Sequence, residues 1–107
     1  MVEVRPRTVE DYLQADGKSP YQRWFKTVKY LPVGRKIEIR LHRVEEGNLG
    51  DHKHVGEGVW ELRIFGDAYR VYYGEDGDKI ILLLGGSKAS QDSDIAKAKE
   101  YWRDYNA

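Results

Sequence analysis

The sequence predicts an α+β domain: a mostly antiparallel, four-stranded sheet with an N-terminal helical hairpin and a C-terminal helix. Three observations lead there. Apolar residues recur with a helical period over residues 21–44, the period changes to two over residues 59–84, and a helical stripe returns after Ser90. With 107 residues, 40% of them hydrophobic and 34% charged, the chain has room for one core, and residues 1–107 are read as a single domain.

Val2–Arg5 reads as a short first strand, Val2 and Val4 alternating with Glu3 and Arg5 until Pro6 interrupts it. Thr8–Leu13 reads as a turn of helix and Ala15–Lys18 as a loop. Ser19 is placed to cap the first secure helix, with Pro20 at the first helical position, where a missing N–H costs nothing. Tyr21, Trp24, Phe25, Val28 and Leu31 follow as one apolar stripe that Pro32 ends. A second helix is expected from Gly34 to Glu46. Ile37, Leu41 and Val44 face inward, Lys36, Glu38, Arg40, Arg43 and Glu45 face outward, and Gly47-Asn48 supplies the stop.

Leu49–Gly58 reads as a polar loop. Val59–Phe65, Ala68–Tyr73 and Lys79–Leu84 then read as strands, joined by a type II′ turn at Gly66-Asp67 and a type I′ turn at Asp76-Gly77. The unbroken apolar run Ile80–Leu84 marks a central strand covered on both faces, ended by Gly85-Gly86. Ser90 caps the last helix, Asp92 and Asp94 sit where the helix dipole favours acids, and Ile95, Ala98, Trp102 and Tyr105 form its inner stripe.

Composition sets limits on function. The chain has no cysteine, which excludes disulfides, thiolate metal sites and a cysteine nucleophile. It has no apolar run of the ~18 residues that cross a bilayer, and its start lacks the apolar segment of a secretory signal, so a cytoplasmic protein is expected. Eighteen basic and eighteen acidic residues cancel. Residues 1–34 carry six basic and four acidic groups and residues 57–90 carry four and six, so any anion site must be local rather than a property of the whole field.

A two-residue turn at Gly66-Asp67 fixes the pairs outward from it: Ile64 with Tyr69, Arg63 with Arg70, Leu62 with Val71, Glu61 with Tyr72, Trp60 with Tyr73. Parity then puts Ile64, Tyr69, Leu62, Val71, Trp60 and Tyr73 on a face that meets the helices, and Arg63, Arg70, Glu61 and Tyr72 on an open one. Like charges opposed on a sheet cost about 0.2–1 kcal/mol. The residues alone leave two readings of that cost: Glu61 bridges the arginines in a solvated network, or the arginines offer forked donors to an anion while Tyr72 stacks on a base. Lys53, in the loop entering the hairpin, and Lys88, just after Gly85-Gly86, are within reach of the same face, and each also reads as a solvated lysine.

The runs Gly47-Asn48-Leu49-Gly50-Asp51-His52-Lys53, Glu61-Leu62-Arg63, Tyr69-Arg70-Val71-Tyr72-Tyr73, Gly85-Gly86-Ser87-Lys88-Ala89-Ser90-Gln91 and Asp94-Ile95, taken in this order over nearly the whole chain, resemble the HigB-like addiction-module killer branch of the RelE/ParE toxin superfamily. Trp24-Phe25, preceded by Asp16-Gly17-Lys18-Ser19-Pro20, also fits. The resemblance implies a RelE-like fold, a toxin neutralised by a helix-turn-helix antitoxin, and for many relatives ribosome-dependent cleavage of mRNA; other branches poison gyrase. It carries over Lys53, Arg63, Arg70, Lys88 and Gln91 as site residues. Where the family often shows Gly-Pro-Gly, this chain has Gly66-Asp67-Ala68, which sets an acid beside the arginines.

Metal-free RNA cleavage needs the 2′-hydroxyl activated, the phosphorane charge stabilised and the leaving oxygen protonated. Arg63 and Arg70 suit the second task, and Lys88 is counted with them among the catalytic residues. Glu61, or a lysine whose pKa the arginines lower, is the candidate base. Tyr72 is a candidate acid or stacking surface, and Lys53 and Gln91 are RNA contacts. His42, His52 and His54 match no motif and read as surface residues. No metal or other cofactor is expected. A gyrase-binding toxin without enzymatic activity and a catalytically silent toxin-like domain remain as alternatives.

Overall fold

A computed structural model describes residues 5–107, and apart from Arg5 the expected strand Val2–Arg5 lies outside them. The described chain runs β1 (Thr8–Asp11), α1 (Pro20–Phe25), α2 (Pro32–Glu45), β2 (His52–Gly56), β3 (Val59–Ile64), β4 (Tyr69–Asp76), β5 (Lys79–Ser87), a 3₁₀ turn (Lys88–Ser90) and α3 (Gln91–Tyr105). Five strands form one mixed sheet in the order β1-β5-β4-β3-β2. The class is α+β as expected, but the sheet has five strands rather than four, and β1 runs parallel to β5.

Two strands lie where the sequence suggested other structure. Thr8–Asp11 is a strand and not a turn of helix, because it pairs with the buried central strand, Val9 opposite Ile80 and Asp11 opposite Leu82. Its continuation Tyr12 donates its N–H to the Leu82 carbonyl (2.9 Å). The supposed loop before the hairpin holds β2. His52, Lys53 and His54 carry no apolar alternation, since an edge strand exposed on both sides needs none; its pairing comes from β3.

The first helix opens as read, Ser19 Oγ accepting from the Gln22 N–H (3.1 Å), but stops at Phe25 and not at Leu31. Beyond it the Thr27 and Val28 N–H groups bond three residues back, to Trp24 and Phe25. This tighter winding keeps Val28 buried and turns Leu31 out to 50% exposure. Pro32 therefore starts α2 as its first residue.

The register of the β3–β4 hairpin is the expected one, from Ile64 opposite Tyr69 to Trp60 opposite Tyr73. Phe65–Ala68 make the turn, closed by the Ala68 N–H on the Phe65 carbonyl (3.3 Å), with Phe65 and Gly66 both in the left-handed region. The second hairpin turns at Gly77-Asp78, and only Gly77 has positive φ there, so it is not a type I′ turn at Asp76-Gly77. In β5 the register slips by one residue: Tyr72 pairs with Leu84 and Tyr73 with Leu82, leaving Leu83 as the extra residue. Gly85-Gly86 do not end β5, which continues through them to Ser87. They are glycines because neighbours lie directly on the strand: a Cβ on Gly85 would overlap the Trp24 indole, and one on Gly86 the Asp94 carboxylate.

Both faces of the sheet are covered. On one, Leu62, Ile64, Val71, Tyr73, Ile80 and Leu82 meet Tyr21, Val28, Val33, Ile37 and Val44 of the helical hairpin and its linker. On the other, Val59, Tyr72, Ile81 and Leu83 meet Ala98, with Ile95, Trp102 and Tyr105 packed around them. Tyr12 Oη donates to Asp104 (2.6 Å) and Tyr105 Oη to Asp76 (2.7 Å), fastening the far end of α3.

Candidate functional site

The face of Arg63, Arg70, Glu61 and Tyr72 is not open, as α3 and the turn before it lie over it. Glu61 is 0% exposed, Arg70 2% and Tyr72 0%. The parity was right, but the amphipathic stripe of the last helix covers this face. Tyr72 is thereby removed as a stacking surface for a base. Its hydroxyl has no hydrogen-bond partner among the described residues, and burial, reinforced by Glu61 and Asp94, raises its pKa well above the ordinary tyrosine value.

Glu61 is the centre of the cluster. Its Oε1 accepts from Arg63 Nε (3.1 Å), its Oε2 accepts from Gln91 Nε2 (3.2 Å) and also faces Arg70 Nε (3.4 Å). A carboxylate is costly to bury unless it is paired and hydrogen-bonded, and these contacts supply the partners of Glu61. Arg70 turns its Nη2 to Asp67 Oδ1 (2.8 Å) and its Nη1 to the Asp67 carbonyl (3.1 Å). The backbone N–H of Lys88 bonds to the Ala68 carbonyl (3.0 Å), which brings its ammonium within 3.3 Å of Asp67 Oδ2. Lys88, with Arg70 and Arg63, holds the Asp67 carboxyl below its ordinary pKa.

Two strands, the 3₁₀ turn and the first residue of α3 thus bring together Glu61, Arg63, Arg70, Lys88 and Gln91, from stretches up to thirty residues apart in sequence. Lys53 lies opposite Glu61 across the β2–β3 ladder, on the same side of the sheet, and is exposed at its edge. His52 and His54 flank the Trp60 ring on the other side, at 5.5 and 4.9 Å between centroids, and His42 lies 3.4 Å from Glu46 on the surface of α2. Of the cations, Lys88 and Arg63 reach solvent (69% and 29% of the side chain), while Arg70 is enclosed. An arriving anion meets Arg63 and Lys88 first and must displace Asp67 to reach Arg70.

Sequence patterning missed one structural cation. Arg40 was assigned to the outer face of α2, but its guanidinium bends over and donates to the Leu49, Asp51 and Arg63 carbonyls (2.8, 2.6 and 2.5 Å). Desolvation lowers its pKa. It ties the start of β2 to the end of β3 next to the cluster, drawn there by two carbonyls of the loop before β2 and one of β3 itself. Ser90 precedes α3 as expected, but its hydroxyl donates to Asp94 Oδ2 (2.5 Å) instead of accepting from the helix.

Among the described residues no helix is long and apolar enough to cross a membrane. No protein-family model matches the chain, and no solved structure matches it. A Haemophilus influenzae protein described as uncharacterized is 44% identical over 81 residues, covering 74% of this chain and 82% of that protein. At that identity and coverage the two chains belong to one family.

Proposed function

We propose that the family shared by this chain and the Haemophilus protein consists of toxins of type II toxin–antitoxin systems, with a RelE-like fold and of the HigB-like kind. The chain acts as a metal-free endoribonuclease on mRNA at the ribosome and is neutralised by a helix-turn-helix antitoxin. One observation supports this most. The residues carried over from separate motifs meet in one cluster at one end of the sheet, Arg63, Arg70 and Gln91 on Glu61 and Arg70 and Lys88 on the adjoining Asp67.

In this reading Arg63 and Lys88 stabilise the charge that develops on the scissile phosphate. Arg70 and Gln91 hold Glu61, and Glu61 in turn orients Arg63; Lys53 attracts the strand at the sheet edge. Glu61, enclosed by two hydrogen-bond donors and the Arg70 guanidinium, is set as an orienting group more than as a free base. A second reading has its own support: Asp67 occupies Arg70, and Tyr72 is buried, as befits a toxin-like domain that binds without cleaving. Gyrase poisoning is the remaining alternative.

Controlled expression with mapping of mRNA 5′ ends decides among them. Growth arrest with new 5′ ends is the expected result, lost in Arg63→Ala and Lys88→Ala. Arrest with intact transcripts and a DNA-damage response would point to gyrase, and normal growth to the silent domain.

A further inference from the structure

On the helix side of the hairpin tip, between α2 and the Phe65–Ala68 turn, lies a groove of about 290 Å³ lined by Lys36, Ile39, Arg40, Arg43, Ile64 and Phe65. Three of these residues are cations and none is a carboxylate. Arg40 is spent on backbone carbonyls, but Lys36 and Arg43 are exposed and make no ion pair among the described residues. Over the groove stands Phe65, 51% exposed, with the Lys36 ammonium 5.3 Å from its ring centroid.

Phe65 is anomalous in two respects. A large apolar ring is left half in water, and its backbone is held at φ 58, a conformation that glycine or asparagine adopts far more readily. Core packing does not require the first, and turn formation does not require a phenylalanine for the second. An exposed ring flanked by unpaired cations is what sequence-tolerant binding of single strands uses, with bases stacking on the ring and phosphates meeting the cations.

We propose that this groove binds single-stranded RNA, with a base stacked on Phe65 and backbone phosphates on Lys36 and Arg43. The inference rests on the reading of the hairpin end as an RNA site and extends it. Asp67 of the same four-residue turn contacts Arg70 and Lys88, so a strand crossing the tip passes from the groove to the Arg63 cluster. The opposite flank of α2 repels the same ligand, since the larger cleft there, between α1, α2 and β1, is lined by Asp11, Glu38 and Glu45 and by no cation.

The test is fluorescence anisotropy of the full chain with a labelled oligoribonucleotide of about eight nucleotides, within the usual single-strand site size, over a range of salt. Phe65→Gly removes the ring and relieves the backbone, so the variant should melt no lower than the parent while binding about tenfold more weakly; Phe65→Trp should bind like the parent. Lys36→Gln with Arg43→Gln should lower the log–log salt slope by about 1.4, two phosphate contacts' worth on a single strand. If Arg63→Ala and Lys88→Ala lose RNA while the groove variants bind like the parent, the groove proposal falls and the cluster survives. If the groove variants alone lose RNA, the groove stands and the cluster is misread. Absence of RNA binding by the parent overturns both, and groove variants that lose only the helix-turn-helix partner make the groove a protein surface and overturn the proposal.

Discussion

The two faces of the central sheet are built from alternate residues of the same strands and are held in different ways. Leu62 and its neighbours meet the helical hairpin mainly through apolar surface. One residue earlier, the buried Glu61 is held in an ionic network with Arg63 and Arg70 and meets α3 through the Gln91 amide, with aromatic packing around it. Apolar packing is additive and forgiving of small changes, whereas the network depends on every partner being present. With both faces covered, ligands are left the hairpin tip, the β2 edge and the flanks of α2. The exposed members of the candidate site, Arg63, Lys88 and Lys53, lie at the tip and the edge.

The largest expected effect tests that asymmetry directly. Glu61→Ala leaves the enclosed Arg70 with Asp67 at the rim but without its buried carboxylate, and should cost up to about 3–5 kcal/mol in urea unfolding. Leu62→Ala, on the other face, should cost about 2–5 kcal/mol through lost burial and a cavity. The two differ in rescue. Replacing Glu61 and Arg70 together by Leu and Met should recover most of the loss, because removing both charges removes the need to pair them. If the double replacement is no more stable than Glu61→Ala, the network is not the source of the cost.

A smaller change of opposite sign should follow at Tyr72. Its buried hydroxyl has no partner among the described residues, so Tyr72→Phe should raise stability by about 1 kcal/mol. A loss of stability would mean that an ordered water or a protein group satisfies the hydroxyl. Under the proposed toxin function, growth arrest retained in the same variant would exclude Tyr72 as the acid of the reaction.

The smallest effect is a pH dependence carried by the α3 face. Burial and the bond to Asp104 push the Tyr12 pKa up to about 12, and the bond to Asp76 does the same for Tyr105. The unfolded chain gives up these protons near the ordinary value of about 10, before the folded one does. The stabilisation is therefore complete below that pH and is lost as pH rises from there through the folded value. Melting temperature should fall over this alkaline range, and fall less steeply in Tyr12→Phe. An unchanged slope in that variant would show that α3 is held mainly by Trp102 and its apolar neighbours.

Much of this was legible in the sequence. Parity from one turn gave the whole β3–β4 register, since a two-fold period admits no partial slip. The stripe Ile95, Ala98, Trp102 and Tyr105 gave the last helix its inner face, and Ser19-Pro20 gave the first its start. The glycines at 85 and 86 were misjudged because a strand glycine and a terminating glycine look alike until the Trp24 ring and the Asp94 carboxylate are in place. Lys53 was assigned to a loop because an exposed edge strand leaves no apolar signature.

The sequence by itself determined which residues share a face, because local geometry sets the direction of each side chain along a strand or helix. It also determined that Asp67 stands beside the arginines, because turn and ladder are adjacent in the chain. Only the tertiary structure decided that α3 closes the arginine face, that Arg40 bends inward and that Phe65 is left outside. Those outcomes depend on which apolar surfaces meet across long stretches of chain and on where unpaired carbonyls need donors, and no local pattern encodes either.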